Sequence, residues 1–218
     1  MGDWRSSISR REFLKAAGAA LGGLLLAPSR AWGSAPPAVT TLTRVQTSRP
    51  VFFLTIDDGW YPDSLLAMLD ILAQRQAQAT FFLVGNAVQV AEGVYPGILA
   101  QLLRAGHQVG YHTLAHRRAS LLALNSVAWF LQDYDQWLEL MKTLLADASL
   151  EGGIVPYARA PGGYFSPNFL SLCSLRQLQP VSWNHTVDNT GPGKPRLGRG
   201  DILLMHTTPE DTRLLQQY

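Results

Sequence analysis

The amino-acid sequence predicts an α/β fold, a parallel sheet or barrel with helices packed outside it. Three observations carry this expectation. Short apolar runs of strand length alternate with stretches whose apolar residues recur at helical spacing. Most of the runs end in turn-forming or polar residues. The side chains with chemical potential stand just after the runs, at the carboxyl ends of strands, where parallel α/β folds keep their sites.

The elements follow in order. Val51-Phe52-Phe53-Leu54-Thr55-Ile56 reads as a buried strand that opens into Asp57-Asp58-Gly59. Leu65, Leu66, Met68, Leu69, Ile71 and Leu72 mark a helix. Ala79 to Gly85 is a second buried strand, and Ile98, Leu99, Leu102 and Leu103 belong to a second helix closed by Ala105-Gly106. A third strand over about 108–111 leads into a histidine-rich segment, and a long helix runs from about Ser126 to Leu145. Tyr157 to Ala160, Pro180 to Trp183 and Ile202 to Met205 are the later strands.

The chain of 218 residues is long enough for one domain with a sizeable core. At 47% hydrophobic and 16% charged residues it has the apolar surface that a disordered chain lacks. A net charge of +2 is too small to suggest a nucleic-acid partner. The single Cys173 excludes an intramolecular disulfide and a zinc site of paired cysteines, so any metal must be held by His and carboxylate.

Residues 1–33 read as a signal peptide. Ser9-Arg10-Arg11-Glu12-Phe13-Leu14-Lys15 precedes the twelve-residue apolar run Ala16 to Ala27, and small residues follow near Gly33. The run falls short of the roughly 20 apolar residues that span a bilayer, so no stable membrane span is expected in the mature form. The arginine pair with its Phe, Leu and Lys resembles the twin-arginine export signal, which makes the twin-arginine translocase a partner and the destination periplasmic or extracellular. A general secretory signal or an uncleaved anchor would share the same charge and apolar run. Residues 34–49 read as a linker or irregular lead-in, and 50–218 as the folded domain. Removing the leader takes away five basic and two acidic residues, leaving thirteen against fourteen, so the exported domain is near −1.

Each candidate residue also has a structural reading. Asp57-Asp58-Gly59 and Arg159-Ala160-Pro161-Gly162-Gly163 suit turns. His112 and His116, at i and i+4, present two imidazoles on one face if the segment is helical, or form a structural pair. Asp188 lies in a polar stretch, and His206 ends an apolar strand, where a core histidine is equally at home. Position on the fold joins them, since all fall on one rim, and two His with a carboxylate form an open metal site.

In this order the residues resemble the polysaccharide deacetylase family, metal-dependent enzymes that remove N-acetyl groups from chitin, peptidoglycan and related glycans. Five motifs carry the resemblance: Thr55-Ile56-Asp57-Asp58-Gly59, His112-Thr113-Leu114-Ala115-His116, Arg159-Ala160-Pro161-Gly162-Gly163, Asp188, and Leu204-Met205-His206. The likeness extends over about Val51 to His206. It implies a distorted, incomplete (β/α) barrel and an acetylated polysaccharide as substrate. It implies a divalent metal, zinc first among those the family accepts, on Asp58, His112 and His116. Asp57 becomes the general base and His206 the general acid. Arg159 orients Asp57, Asp188 tunes His206, and Gly162 and Leu204 meet the substrate and its oxyanion.

The sequence departs from the family at three places. Asp188 is followed by Asn189 where the family usually carries Trp, Gly162 stands where an aromatic residue is common, and Gly191-Pro192-Gly193-Lys194-Pro195 replaces an expected helix. Relatives usually continue past the equivalent of Tyr218 with a helix and a closing strand, which makes a barrel that is open or completed by a partner an expectation. Two alternatives stand beside the deacetylase reading: a non-catalytic glycan-binding protein on the same fold, and a hydrolase of a small non-glycan amide.

Overall fold

The computed structural model describes residues 39–117, 124–189 and 196–217. The expected leader over 1–33 and the glycine- and proline-rich stretch 191–195 lie outside the described residues. Among the described residues no helix is long and apolar enough to cross a membrane.

The strands are β1 (Phe53–Asp58), β2 (Thr80–Leu83), β3 (Gln108–Tyr111), β4 (Ile154–Ala158), β5 (Gln179–Pro180), β6 (His185–Thr186) and β7 (Ile202–His206). They form one sheet in the order β5-β4-β3-β2-β1-β7-β6, and every pair is parallel. The helices are α1 (Pro62–Gln74), α2 (Gly85–Val94), α3 (Ile98–Arg104), α4 (Val127–Leu145), α5 (Pro167–Arg176) and α6 (Pro209–Leu215). Their starts are written locally. Pro62, Pro167 and Pro209 occupy first-turn positions, where the missing N–H costs nothing. Ser126, Ser166 and Thr208 cap α4, α5 and α6 by accepting from Trp129, Phe169 and Asp211 N–H groups. Helices α2, α5 and α6 are additions to the sequence reading, and the Gly-Asn start of α2 carries no capping side chain.

The sheet must curl. Laid flat, six strand spacings of about 4.8 Å would put β5 and β6 about 29 Å apart. Only residues 181–184 join them, and five Cα–Cα steps reach at most about 18 Å. The two edges therefore approach one another, giving the incomplete barrel that the family resemblance implies.

The pleat divides the side chains between two cores. Ile56, Phe81, Leu83, Val109, Tyr111, Leu203 and Met205 face the helices. Phe53, Phe82, Tyr157, Val181 and Ile202 fill the barrel interior.

Residues 34–49 require a correction, because their described part is integral to the domain. Leu42 bridges Val181 just after β5, Arg44 bridges Asp201 just before β7, and Val45 is buried in the interior core. The chain's own lead-in thus crosses the gap that was expected to stay open or to be closed by a partner. Buried Asp201 locks it by accepting from Gly198 N at 2.6 Å and Asn184 Nδ2 at 2.7 Å, and by pairing with Arg44 at 2.8 Å and His185 at 3.1 Å. Gly200 (φ 80) is required here, since a Cβ would stand 2.0 Å from the Val45 carbonyl oxygen.

Candidate metal and catalytic centre

The rim at the carboxyl ends of β1, β3, β4 and β7 gathers most of the expected residues. Strand β1 runs two residues further than the apolar pattern alone suggests, so Asp57 and Asp58 are its last residues. Regular alternation would send their side chains to opposite faces. Asp58 instead takes φ 83, a left-handed conformation unusual for a non-glycine residue, and both carboxylates come to His112.

His112 Nε2 lies 3.7 Å from Asp57 Oδ2 and 3.6 Å from Asp58 Oδ1, and His116 Nε2 lies 3.5 Å from Asp58 Oδ1. The ligand atoms of Asp58, His112 and His116 all fall within 4.8 Å of one another. The two imidazoles converge without a helix, which corrects the helical reading of their spacing. Residues 112–117 form an irregular turn with Thr113 at φ 67 and His116 at φ 45, closed where the Thr113 hydroxyl accepts from His116 N at 3.0 Å. His112 Nδ1 sits 2.8 Å from the Arg159 carbonyl oxygen. That oxygen only accepts, so Nδ1 carries the proton and the Nε2 lone pair faces the carboxylates.

The donor set fits a small divalent cation. Asp58 Oδ1 is buried and without a hydrogen-bond partner, a costly arrangement unless an ion completes it. Its separations of 3.5 and 3.6 Å from the two imidazoles are too long for hydrogen bonds. Ligands at 2.0–2.2 Å from one tetrahedral ion stand about 3.3–3.6 Å apart. Burial pushes the Asp58 carboxyl up, but His112, His116 and His206 together hold it below its ordinary value. Burial and the neighbouring His112 push His116 down, toward the neutral form that ligates metals.

Arg159 is fully buried and spends its guanidinium on this region. Nη1 donates to Asp57 Oδ1 at 2.7 Å and to Thr55 Oγ1 at 2.9 Å. Nε donates to the Val181 carbonyl and Nη2 to that of Ser182. The group also lies over the ring of Phe82, with its carbon 4.2 Å from the ring centre, which suits a buried cation. Asp57 therefore has one oxygen fixed by Arg159 and the other facing the His112 imidazole.

His206 stands beside Asp57 in the β1–β7 register, half-buried. Leu204, two residues earlier on the same face, is buried in register with Thr55 and Thr186. Gly162 is exposed in the turn after Arg159 at φ 61, where no atom lies within 4 Å of a Cβ position. The next residue, Gly163, abuts the ring of Trp183, which would meet its Cβ at 2.8 Å.

Asp188 is the expected residue that the structure leaves apart. It is exposed in a short 3-10 turn, with no hydrogen bond or ion pair to His206 among the described residues. The carboxylate beside His206 is Asp211, in the first turn of α6. Its Oδ2 accepts from His206 N at 2.6 Å and lies 3.7 Å from His206 Nδ1. Asp211 holds the imidazolium above its ordinary value, burial opposes it, and Asp57 and Asp58 add to the rise. The Thr208-Pro209-Glu210-Asp211 helix start was the available signal for this residue. His107 is structural: buried, it accepts from Ala79 N at 3.2 Å, and burial lowers it to about 4.

Comparisons with known proteins bear on the family and the fold. The polysaccharide deacetylase family model matches residues 44–181, which contain Asp57, Asp58, His112, His116 and Arg159. A chitooligosaccharide deacetylase of Azorhizobium caulinodans is 28% identical over 75% of this chain and 76% of its own. A peptidoglycan-N-acetylglucosamine deacetylase of Bacillus cereus is 28% identical over 77% of each. A CE4 family pseudoenzyme from Bacillus anthracis shares the fold with a TM-score of 0.67 at 20% identity. That likeness covers 83% of this chain but only 63% of the other, under two thirds of its length. The chain belongs to the polysaccharide deacetylase family.

Proposed function

We propose that this chain is a metal-dependent hydrolase that removes N-acetyl groups from an N-acetylglucosamine-containing glycan outside the cytoplasm, a peptidoglycan or chitin-like polymer. The observation that carries the reading is the buried, unpartnered Asp58 Oδ1 facing two imidazoles with Asp57 alongside. The family and the names of the relatives support the glycan amide as substrate. Exposed Trp60 and Tyr61 after the β1 turn, and Tyr164 after Gly163, offer aromatic faces suited to sugar rings. The arginine-pair leader supports export by the twin-arginine translocase.

Asp58, His112 and His116 would hold the ion, and zinc would suit a set of two imidazoles and one carboxylate. When bound, the ion supplies Lewis acidity, which acidifies water and polarises a carbonyl. Asp57 Oδ2 takes the proton of the attacking water, while Arg159 keeps the carboxylate aimed. The Gly162 N–H donates to the oxyanion as the carbonyl becomes tetrahedral, and Leu204 lies against the acyl group. His206 gives its proton to the sugar nitrogen as the C–N bond breaks, releasing acetate and a free amine. Asp211, in place of Asp188, is the carboxylate that favours the imidazolium.

A pH prediction follows from this arrangement. His206 must be protonated to act, so the alkaline limb of kcat/KM against pH reports its loss of the proton. Asp211→Asn removes the charge that raises His206, so the limb is expected to move to lower pH. A limb that stays in place contradicts the assignment of Asp211.

The substrate class is tested by acetate release from N-acetylglucosamine oligomers, acetylated peptidoglycan fragments and small non-glycan amides under one set of conditions. Release from the glycans is expected. Release confined to small amides, or glycan binding with no release under any metal, overturns the reading.

A further inference from the structure

Helix α4 carries a buried carboxyl that the chemistry above leaves unused. Asp133 is 6% exposed, and one of its oxygens, Oδ1, accepts two hydrogen bonds. One comes from the Tyr111 hydroxyl at 2.5 Å and the other from Leu114 N at 2.9 Å. Tyr111 ends β3 immediately before His112, and Leu114 lies midway between His112 and His116. One donor thus stands immediately before the turn that presents the imidazoles and the other lies within it.

That turn needs external support. The left-handed conformations at Thr113 and His116 are unfavourable for residues that carry a side chain and persist only where the surroundings fix them. Helix α2 supplies one side, with Gly85 N donating to the Thr113 carbonyl at 3.1 Å and Asn86 N to that of Leu114 at 2.8 Å. Asp133 supplies the other side by taking the Leu114 amide. Helix α4 is itself anchored to the sheet, because Trp137 Nε1 donates to the Leu83 carbonyl at 2.9 Å. Burial pushes the Asp133 carboxyl up, against the lowering effect of the Tyr111 and Leu114 bonds.

We propose that Asp133 is the positioning residue of the metal centre: a single oxygen fixed on α4 holds the backbone between His112 and His116 so that both rings face Asp58. The inference rests on the metal-site reading above. Because both bonds converge on one oxygen, the requirement is for an acceptor at that point, and the amide oxygen of Asn meets it. A leucine of similar size does not.

The test is metal binding by the metal-free full chain, with Zn²⁺ titrated against a chromogenic chelator and Co²⁺ followed by its visible spectrum. Asp133→Asn is expected to match wild type in affinity and spectrum. Asp133→Leu is expected to bind about 10- to 100-fold more weakly, the range for outer partners of metal ligands, with a changed Co²⁺ spectrum. A folded Leu variant with wild-type affinity and spectrum overturns the proposal, as does an Asn variant as impaired as Leu. Should the Leu variant fail to fold, Tyr111→Phe decides: a shifted Co²⁺ spectrum supports the proposal, and wild-type affinity and spectrum overturn it. Wild-type protein that binds neither ion removes the metal reading and this proposal together, an outcome distinct from the others.

Discussion

Asp57→Asn is expected to lower kcat for acetate release by about 10²–10⁴, the range for removing a positioned acid or base. The amide keeps the size of the carboxylate and can still accept from Arg159 Nη1, so the barrel should persist. It cannot take a proton from the attacking water at the oxygen that faces His112. Metal content should be unchanged, because Asp58, His112 and His116 are intact. Acetate assays with metal analysis on one preparation check this. An Asn variant with near wild-type turnover would remove Asp57 from the mechanism.

Arg159→Leu is expected to destabilise the fold by about 3–5 kcal/mol, the cost of breaking a buried ion pair from one side. The pair is buried on both sides, with Arg159 0% and Asp57 3% exposed. The substitution leaves the Asp57 carboxylate uncompensated and strands the Val181 and Ser182 carbonyls that Arg159 now serves. Leaving these groups unsatisfied places the loss toward the upper end of that range. Urea denaturation measures the loss. Adding Asp57→Leu to the same chain is expected to recover part of it, because the orphaned charge goes with its partner. A single variant within about 1 kcal/mol of wild type contradicts the hub role assigned to Arg159.

What the sequence made legible was local. Apolar runs gave most of the strands, while the helices that Ser166 and Thr208 cap and the two-residue strand at His185 went unread. Because a parallel sheet puts all its carboxyl ends on one rim, Asp57, Asp58, His112, His116, Arg159 and His206 were expected together and are found there.

The remainder depends on partners distant in sequence or on backbone choices that residue type does not dictate. Nothing in Asp58, Thr113 or His116 announces a left-handed conformation, yet those three residues turn an alternating strand end and an irregular loop into one cluster. Arg44 meets Asp201 across most of the chain, so a proline- and threonine-rich lead-in gave no sign of being structural. Asp133 and Asp211 have ordinary helical surroundings in sequence, and only the packing shows what their oxygens hold. Asp188, expected beside His206, stands apart from it, and Asp211 from the first turn of α6 lies there instead.

The central claim is that Asp58, His112 and His116 form a metal centre on which amide hydrolysis depends. The most direct test is acetate release from an N-acetylglucosamine oligomer by one sample before chelation, after removal of the chelator and metal, and after return of stoichiometric Zn²⁺. Activity that disappears on metal removal and returns with the ion is the result expected. Undiminished release from protein shown by elemental analysis to be metal-free would contradict it.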